Sequence, residues 1–373
     1  MKMITPLLAF MLAGSVSCGG DGDSNTDPPA PDPEVEITVT PQSLSLSAEG
    51  ENRNVTVSAN AQWSVVSDQP WCTCSPALGY NGQTSLKITA MANPTEAVRN
   101  AILTFKAGSY TTNYPVTQEA GKVVSYVPAG YSLVWQDEFN EARPAPGKAA
   151  LPNTSRWWYE TGAGGWGNNE LQNYIAAVSG KDSCAMIADG ALKIIARKSG
   201  TQVLSVRMNS SQSWTYGYFE ARMKLPVGKG TWPAFWMLPK NFKAWPDDGE
   251  IDIMEEVGYR PNYVSSSIHC KAYYHSIGTQ KTAETYIATA QTDYHVYAVE
   301  WTAGYIKGFA DGKLYFEFRN DGKNNKDTWP FYEPFYLKLN LAWGGNWGGA
   351  QGVDESVLPA VYEVDYVRVY QKK

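Results

Sequence analysis

The chain has 373 residues, which is too long for one ordinary domain and fits two or three. Hydrophobic residues make up 43% and charged residues 18%, so the chain can bury real cores and is not intrinsically disordered. A net charge of −6, without any basic block, argues against a nucleic-acid partner. With 3 His, a histidine-built metal centre or triad is not expected. The 33 Gly and 22 Pro predict many turns and therefore many short strands.

The N-terminus has the pattern of an export signal. Residues 1–17 hold a basic start, a short apolar run and small residues before Cys18. A cysteine in this place resembles the bacterial lipoprotein signal, which implies that Cys18 is lipidated and anchors the chain to the outer membrane. The acidic, Gly-rich stretch after it, Gly19–Asp23, resembles a surface-export signal, so we expect exposure on the cell surface. The alternative is ordinary signal cleavage, which would leave Cys18 as a free thiol.

A tether and a small module follow. Residues 18–34 are rich in Gly, Asp and Pro and predict a solvated tether. Residues 35–121 alternate polar and apolar side chains in short runs, which indicates a small β-sandwich. The opening Thr40–Leu44 and the pair Trp63 and Trp71 resemble the BACON domain, an immunoglobulin-like module. That resemblance implies a spacer or a sugar-binding module, and we expect both tryptophans in the core.

Residues 122–373 form the third segment and hold most of the tryptophan. Clear alternation in Phe219–Leu225 and Val361–Tyr370 is typical of strands with one buried face. About 250 residues of strands and long loops predict an all-β chain whose C-terminal part is a two-sheet jelly roll with a cleft on one face. Its cysteines, Cys184 and Cys270, are interpreted as small buried apolar residues.

The sharpest motif is the acidic strand Glu250–Glu256. Side chains alternate along a strand, so Glu250 and Asp252 share one face while the isoleucines between them face the core. A regular strand would turn Glu255 inward, whereas a one-residue β-bulge near Met254 would return it to the acidic face. We therefore expect three carboxylates in a row.

Such a row suits the hydrolysis of a glycosidic bond with retention of configuration. That reaction needs two carboxyls roughly 5–5.5 Å apart on opposite sides of a sugar bond. A third acid between them helps keep one Glu ionised and the other protonated. The alternative is a solvated acidic edge strand, but aromatic residues crowd both flanks. Their rings would pack against the apolar C–H faces of a pyranose; these residues are Trp232, Trp236, Trp245, Trp343 and Trp347.

Together these features resemble glycoside hydrolase family 16. The bulged acidic motif is accompanied by four further matching stretches, which are Gly165–Gln172, Tyr216–Arg222, Trp232–Leu238 and Val364–Tyr370. The resemblance implies an endo-glycanase with Glu250 as nucleophile, Glu255 as acid/base and Asp252 as assistant. It also implies a set of sugar contacts, namely Asn168, Arg222, Trp236, Trp245, His269 and Trp343.

The expected substrate is a β-glucan, and one residue decides the expected linkage. The bulged motif is typical of laminarinase-like members, whereas a tryptophan at the position of Trp343 is typical of mixed-linkage glucanases. This combination favours β-1,3/1,4-glucan, with β-1,3-glucan as the second hypothesis. A glycan-binding lipoprotein without catalysis is a third, which the intact acids disfavour. We expect a monomer.

A structural calcium is implied by the resemblance, and no organic cofactor is. The matching positions are Glu138, the carbonyl of Gly190 and Asp365, which offer the oxygen ligands that calcium prefers. The alternative is that Glu138 and Asp365 simply pair with surface bases.

Overall fold

The computed structural model describes residues 34–93, 97–121, 125–141, 150–179, 182–188 and 190–373. The expected signal segment and Cys18 lie outside these residues. The chain divides into two compact units, with the boundary between residues 123 and 124. Within the described residues, no helix combines the length and apolar character needed to cross a membrane.

The described residues of the first unit form nine strands in two sheets. They are β1 Ile37–Thr40, β2 Leu44–Leu46, β3 Glu51–Ala59, β4 Trp63–Ser67, β5 Cys72–Ser75, β6 Leu78–Gly79, β7 Gly82–Ala90, β8 Arg99–Ala107 and β9 Tyr110–Gln118. The sheet orders are β1-β3-β7-β5 and β2-β9-β8-β4-β6. Trp63 packs against Phe105 with ring centroids 5.5 Å apart, and Trp71 is also buried. The expected sandwich with both tryptophans in its core is confirmed.

The second unit continues with nineteen described strands. The first nine are β10 Tyr131–Asp137, β11 Trp157–Glu160, β12 Asn173–Tyr174, β13 Val178–Ser179, β14 Asp182–Ser183, β15 Ala185–Ala188, β16 Ala191–Ser199, β17 Gln202–Ser205 and β18 Arg207–Ser210. The next are β19 Gly217–Lys224, β20 Thr231–Pro239, β21 Glu250–Glu255, β22 Tyr263–His269, β23 Lys281–Tyr286, β24 His295–Trp301, β25 Tyr305–Ala310, β26 Lys313–Arg319, β27 Phe335–Trp343 and β28 Ala360–Lys372. Two short 3-10 helices, His275–Ile277 and Glu355–Val357, complete the described elements.

Two large sheets enclose the core of this unit, as the predicted jelly roll requires. One has ten strands, with β28 and β19 at its centre, and the other has the order β11-β18-β27-β20-β21-β22-β23. Phe219, Ala221 and Met223 from the first sheet pack in one cluster with Leu337 and Leu339 from the second. The outer face of the seven-stranded sheet, which points away from this core, is called the site face below.

Strand β27 shows how strictly alternation assigns side chains to the two faces. Leu339, Leu341 and Trp343 belong to the buried core. The residues between them, Asn340 and Ala342, therefore belong to the site face. Trp343 is 1% exposed, so it is a core residue that is fully enclosed by its neighbours.

Replacing Trp343 by Ala should therefore be a severe core truncation. Removal of a buried Trp side chain costs about 3–5 kcal/mol, because both its transfer free energy and its packing are lost. Urea unfolding of the variant should show this loss in the free energy of unfolding of the second unit. Trp158→Ala is the matched control, because Trp158 is 44% exposed, and it should cost under about 1 kcal/mol. Equal losses in the two variants would contradict the burial of Trp343.

Candidate active site

The acidic strand β21 carries the predicted bulge. On the neighbouring strand β20, Trp236 pairs with Asp252 and Phe235 pairs with Met254. Ile253, which lies between the two paired residues, has no partner on β20. The same irregularity separates Asp252 from Glu255 on the β22 side. Ile253 and Met254 are both fully buried in the core. The extra residue thus returns Glu255 to the site face, where it joins Asp252 and Glu250.

The three acids lie in a compact polar group with one histidine. His269 on β22 pairs with Glu250, and its Nε2 lies 3.9 Å from Glu250 Oε1. The same nitrogen lies 3.4 Å from Asp252 Oδ2. At the other end of the row, Trp232 Nε1 donates a hydrogen bond of 2.9 Å to Glu255 Oε1. The structure therefore brings the four predicted residues Glu250, Asp252, Glu255 and His269 together.

Burial dominates the ionisation of these acids. Burial, followed by the negative charge of Asp252, raises the pKa of Glu250 to about 8. Burial alone raises the pKa of Asp252 to about 8. Burial, again followed by Asp252, raises the pKa of Glu255 to about 8. Near neutral pH the group therefore holds protons that exposed carboxyls would have lost, which acid catalysis needs.

A buried cation cluster lies next to the acids on the same face. It consists of Arg207 on β18, Lys338 on β27 and Glu160 on β11, whose Oε2 lies 2.6 Å from both Arg207 Nε and Lys338 Nζ. Lys338 also donates a hydrogen bond to Asn209. Burial, followed by the charge of Arg207, lowers the pKa of Lys338 to about 7. One carboxylate thus serves two cations, which leaves positive charge beside the acids.

This cluster fixes the indole of Trp236. Arg207 Cζ lies 4.8 Å and Lys338 Nζ 4.9 Å from the ring centroid. The indole Nε1 donates a 2.7 Å hydrogen bond to Asn340 Oδ1. Cation–π contacts and a hydrogen bond together leave the ring one orientation. Trp236 is therefore a rigid aromatic surface directly beside Asp252.

The two ends of the acid row differ in their electrostatic surroundings. Arg207 and His269 lower the pKa of Glu250, and Glu250 in turn raises the pKa of Lys338. Glu170, a buried acid, raises the pKa of Glu255. His269 lowers the pKa of Glu255 as well, and burial followed by Asp252 still raises the pKa of both glutamates to about 8. Their pKa values therefore do not distinguish a nucleophile from an acid.

Trp245 and Asn168 lie at the borders of the site. The Trp245 ring is 37% exposed, and its centroid lies 5.9 Å from that of His269 and 5.0 Å from that of His275. Asn168 lies in the loop before β12, and its carbonyl accepts a 2.6 Å hydrogen bond from Asn346 N. Both predicted contacts therefore lie in segments next to the acids, Trp245 beside His269 and Asn168 near Glu170.

The predicted sugar contact of Arg222 is wrong. Arg222 lies on β19 in the ten-stranded sheet, where Ala221 and Met223 face the core. Alternation therefore turns Arg222 away from that core. It pairs with Asp365 at 2.8 Å and lies over the ring of Tyr294. Arg222 is thus on the sheet opposite the acids, and Arg207 is the arginine that lies beside them.

The predicted sugar contact of Trp343 is also wrong. The sequence suggested a Gly-rich loop at this point, but β27 extends through Trp343 and holds its ring in the core. Ala342 occupies the neighbouring position on the site face and pairs with Trp232. The argument for mixed-linkage glucan that depended on Trp343 as an exposed wall therefore fails.

The proposed calcium ligands are engaged in ion pairs. Glu138 makes a bidentate pair with Arg368, with distances of 2.8 and 2.9 Å, and Asp365 pairs with Arg222. The strands β10 and β16 pair with neighbouring parts of the same edge of β28, which brings Glu138 and Gly190 close to Asp365. The donor atoms are hard oxygens, but a calcium ion would have to displace the guanidinium groups. Calcium stays a prediction.

A different trio has metal-like spacing. Within the described ranges, one group of potential metal ligands is found, in which Glu250, Asp252 and His269 place one ligand atom each within 4.8 Å of one another. These are the groups that already form the candidate active site. Their compactness is equally explained by proton sharing between two acids and an imidazole.

Sequence reasoning missed the cation cluster. Lys338 interrupts the apolar run Phe335–Trp343, and a lysine within a strongly apolar strand is a signal of a buried ion pair. Arg207 is a weaker signal of a buried ion pair, because its strand is too short to show a clear apolar pattern. Neither residue reveals its partner Glu160, which lies 47 positions from Arg207 in the chain.

Comparisons with known proteins place the chain in a family. Residues 172–368 match the family described as Glycosyl hydrolases family 16, and residues 36–121 match the one described as Viral BACON domain. The chain therefore belongs to glycoside hydrolase family 16 and is a glycoside hydrolase with an N-terminal BACON domain. The resemblance drawn from the sequence motifs is confirmed.

Individual relatives agree with this membership. A protein named Beta-glucanase from Rhodothermus marinus is 45% identical over 254 residues, which cover 65% of this chain and 85% of that protein. The structure of the laminarinase from Rhodothermus marinus matches with a TM-score of 0.60 at 45% identity, covering 65% of this chain and 97% of the other. A non-specific endo-beta-1,3(4)-glucanase of family GH16 matches with a TM-score of 0.61 at 43% identity, covering 66% and 93%.

The hydrogen bond from Trp232 should control the ionisation of Glu255. An N–H donor stabilises the ionised carboxylate and lowers the pKa, so Trp232→Phe should raise the pKa of Glu255. Titration of carbon-13-labelled carboxyl groups by NMR measures this directly. Trp347→Phe is the matched control, because the Trp347 ring packs 5.5 Å from that of Trp232 but makes no described hydrogen bond to an acid. A pKa that is unchanged in Trp232→Phe would contradict this role.

Proposed function

We propose that the chain is a retaining endo-β-glucanase that cleaves β-1,3-glucan and mixed-linkage β-1,3/1,4-glucan. The observation that carries the proposal is the bulge that aligns Glu250, Asp252 and Glu255 on the site face. The rigid ring of Trp236 beside these acids supplies the apolar surface that a pyranose needs. The β-glucan class is supported by the names of the relatives.

In this proposal, Glu250 is the nucleophile and Glu255 the acid. The carboxylate of Glu250 attacks the anomeric carbon while Glu255 gives its proton to the leaving glycosidic oxygen, which forms a covalent glycosyl-enzyme. Glu255 then takes a proton from water, whose oxygen displaces Glu250 from the same carbon. The direction of this assignment follows the resemblance to glycoside hydrolase family 16, because the pKa values of Glu250 and Glu255 are both raised to about 8.

Asp252 and His269 are proposed to adjust the charge between the two glutamates. Asp252 is 3% exposed and lies between them in the row, and its negative charge raises the pKa of both. His269 Nε2 lies within 4 Å of an oxygen of Asp252 and of Glu250. A proton held by this pair favours the ionised Glu250 before attack, and when the covalent bond neutralises Glu250 the negative charge passes to Glu255, which has given up its proton.

The proposal includes both glucans because Trp343, the residue that had favoured mixed-linkage glucan, is buried. Trp343 lies in the core, and its neighbour Ala342 is also only 1% exposed. Neither residue therefore offers a surface that would select the ribbon-like β-1,4 run over the curved β-1,3 run. The names of the two structural relatives, a laminarinase and a non-specific endo-beta-1,3(4)-glucanase, support acceptance of both.

Glu250→Gln should abolish turnover while leaving the fold intact. The amide keeps the shape of the side chain but cannot form the glycosyl-enzyme bond, so kcat on laminarin and barley β-glucan should fall by several orders of magnitude. Glu317→Gln on β26, in the opposite sheet, is the matched control and should keep wild-type rates. Activity of Glu250→Gln within tenfold of wild type would remove Glu250 from this role.

The first product of the wild-type enzyme gives an independent check of the mechanism. Two displacements at one carbon restore the original configuration, so proton NMR in the first minutes should show the β-anomer. An initial α-anomer would exclude the double displacement. Wild-type protein that cleaves neither laminarin nor barley β-glucan would exclude the proposed substrate class.

We also propose that the chain is anchored to the outer membrane through a lipid on Cys18. This proposal depends on the sequence pattern of residues 1–18 alone. Wild-type protein should fractionate with the outer membrane of a bacterial host that processes lipoproteins, and Cys18→Ala should release it. Wild-type protein in the soluble fraction alone would contradict the anchor.

A further inference from the structure

The aromatic residue Trp158 lies on the site face, far from the acids along the sheet. Its neighbour Trp157 is 1% exposed and donates a hydrogen bond to Asp137 in the core. Alternation along β11 therefore turns Trp158 to the same face as Glu160, which contacts Arg207 across the sheet. Trp158 is 44% exposed, so a large apolar ring lies in solvent on this face.

A series of aromatic rings leads from the acids to Trp158. Lys338 Nζ lies 4.9 Å from the ring centroid of Trp236 and 5.1 Å from that of Tyr336. Tyr336 is half-buried, and its ring centroid lies 6.0 Å from that of Trp158. The three rings follow one another across the site face with the ammonium group of Lys338 between the first two.

The strand register gives the distance between Trp158 and the acids. Trp158 pairs with Asn209, Asn209 with Lys338, Lys338 with Trp236, and Trp236 with Asp252. Four strand intervals of about 4.8 Å place the backbone of Trp158 roughly 19 Å from that of Asp252. A sugar at the cleaved bond cannot reach Trp158, whereas a sugar several residues along the same chain can.

We propose that Trp158 and Tyr336 form a distal subsite that binds a neutral sugar of the glucan chain several residues from the cleaved bond. This inference rests on the proposed function and extends it to chain length. Trp and Tyr rings offer flat apolar area at low entropic cost, which suits the C–H face of a pyranose. The two rings carry no charge themselves, which suits the neutral chain of a glucan.

The subsite makes the efficiency of the enzyme depend on the length of the substrate. Wild-type kcat/KM should rise along a series of β-1,3-gluco-oligosaccharides until the chain reaches Trp158. Trp158→Ala should lower kcat/KM on an octasaccharide by about tenfold, the value of one lost aromatic contact. The same variant should leave the trisaccharide rate unchanged, because that substrate does not extend to the subsite.

Matched variants separate the subsite from other effects. Trp158→Phe should retain most of the octasaccharide rate, since a smaller flat ring remains. Tyr305→Ala removes a partly buried aromatic residue from β25 in the ten-stranded sheet and should change neither rate. Equal rates of wild type and Trp158→Ala on the octasaccharide would overturn the subsite, and so would an equal loss on both substrates. Wild-type protein inactive on every oligosaccharide would instead overturn the proposed function.

Discussion

The geometry of the site depends on one unpaired residue, Ile253. In a regular strand without this bulge, Met254 would face outward and Glu255 would enter the core, where an unpaired carboxylate is very costly. With it, two successive apolar residues fill the core and the third carboxylate returns to the site face. The same insertion therefore satisfies the packing of the core and assembles the acid row, so neither can change without the other.

The acid row is tolerated because buried cations lie beside it. Glu160 accepts hydrogen bonds from both Arg207 and Lys338, which leaves one cationic charge without its own carboxylate. Removing one member of such a network leaves an uncompensated buried charge, which is more costly than the network itself is favourable. Arg207 and Lys338 also fix the ring of Trp236. Electrostatic compensation and the sugar-binding surface thus use the same side chains.

The sequence predicted those features that follow from local alternation. The jelly roll follows from alternation in many strands, whereas the acid row and the bulge follow from the pattern of one strand, and the structure shows all three. The prediction for Arg222 is wrong for a different reason. Alternation shows that its side chain points away from the core, but it does not show to which of the two sheets the strand belongs. The prediction for Trp343 is wrong because pairing with β20 continues β27 through Trp343, into the stretch that the sequence suggested to be a Gly-rich loop. The contacts of Glu160 were not predicted, because they join strands that are distant in the chain.

Parity along a strand decides which tryptophans can bind a ligand. In the pair Trp157 and Trp158, the first ring is enclosed in the core and the second lies on the site face, although their chemistry is identical. At the end of β27 the order is reversed, so Trp343 is enclosed and Ala342 faces outward. A shift of one residue in either strand would exchange a binding surface for a core side chain. The high tryptophan content therefore serves two separate needs, and composition alone cannot assign any one ring to either.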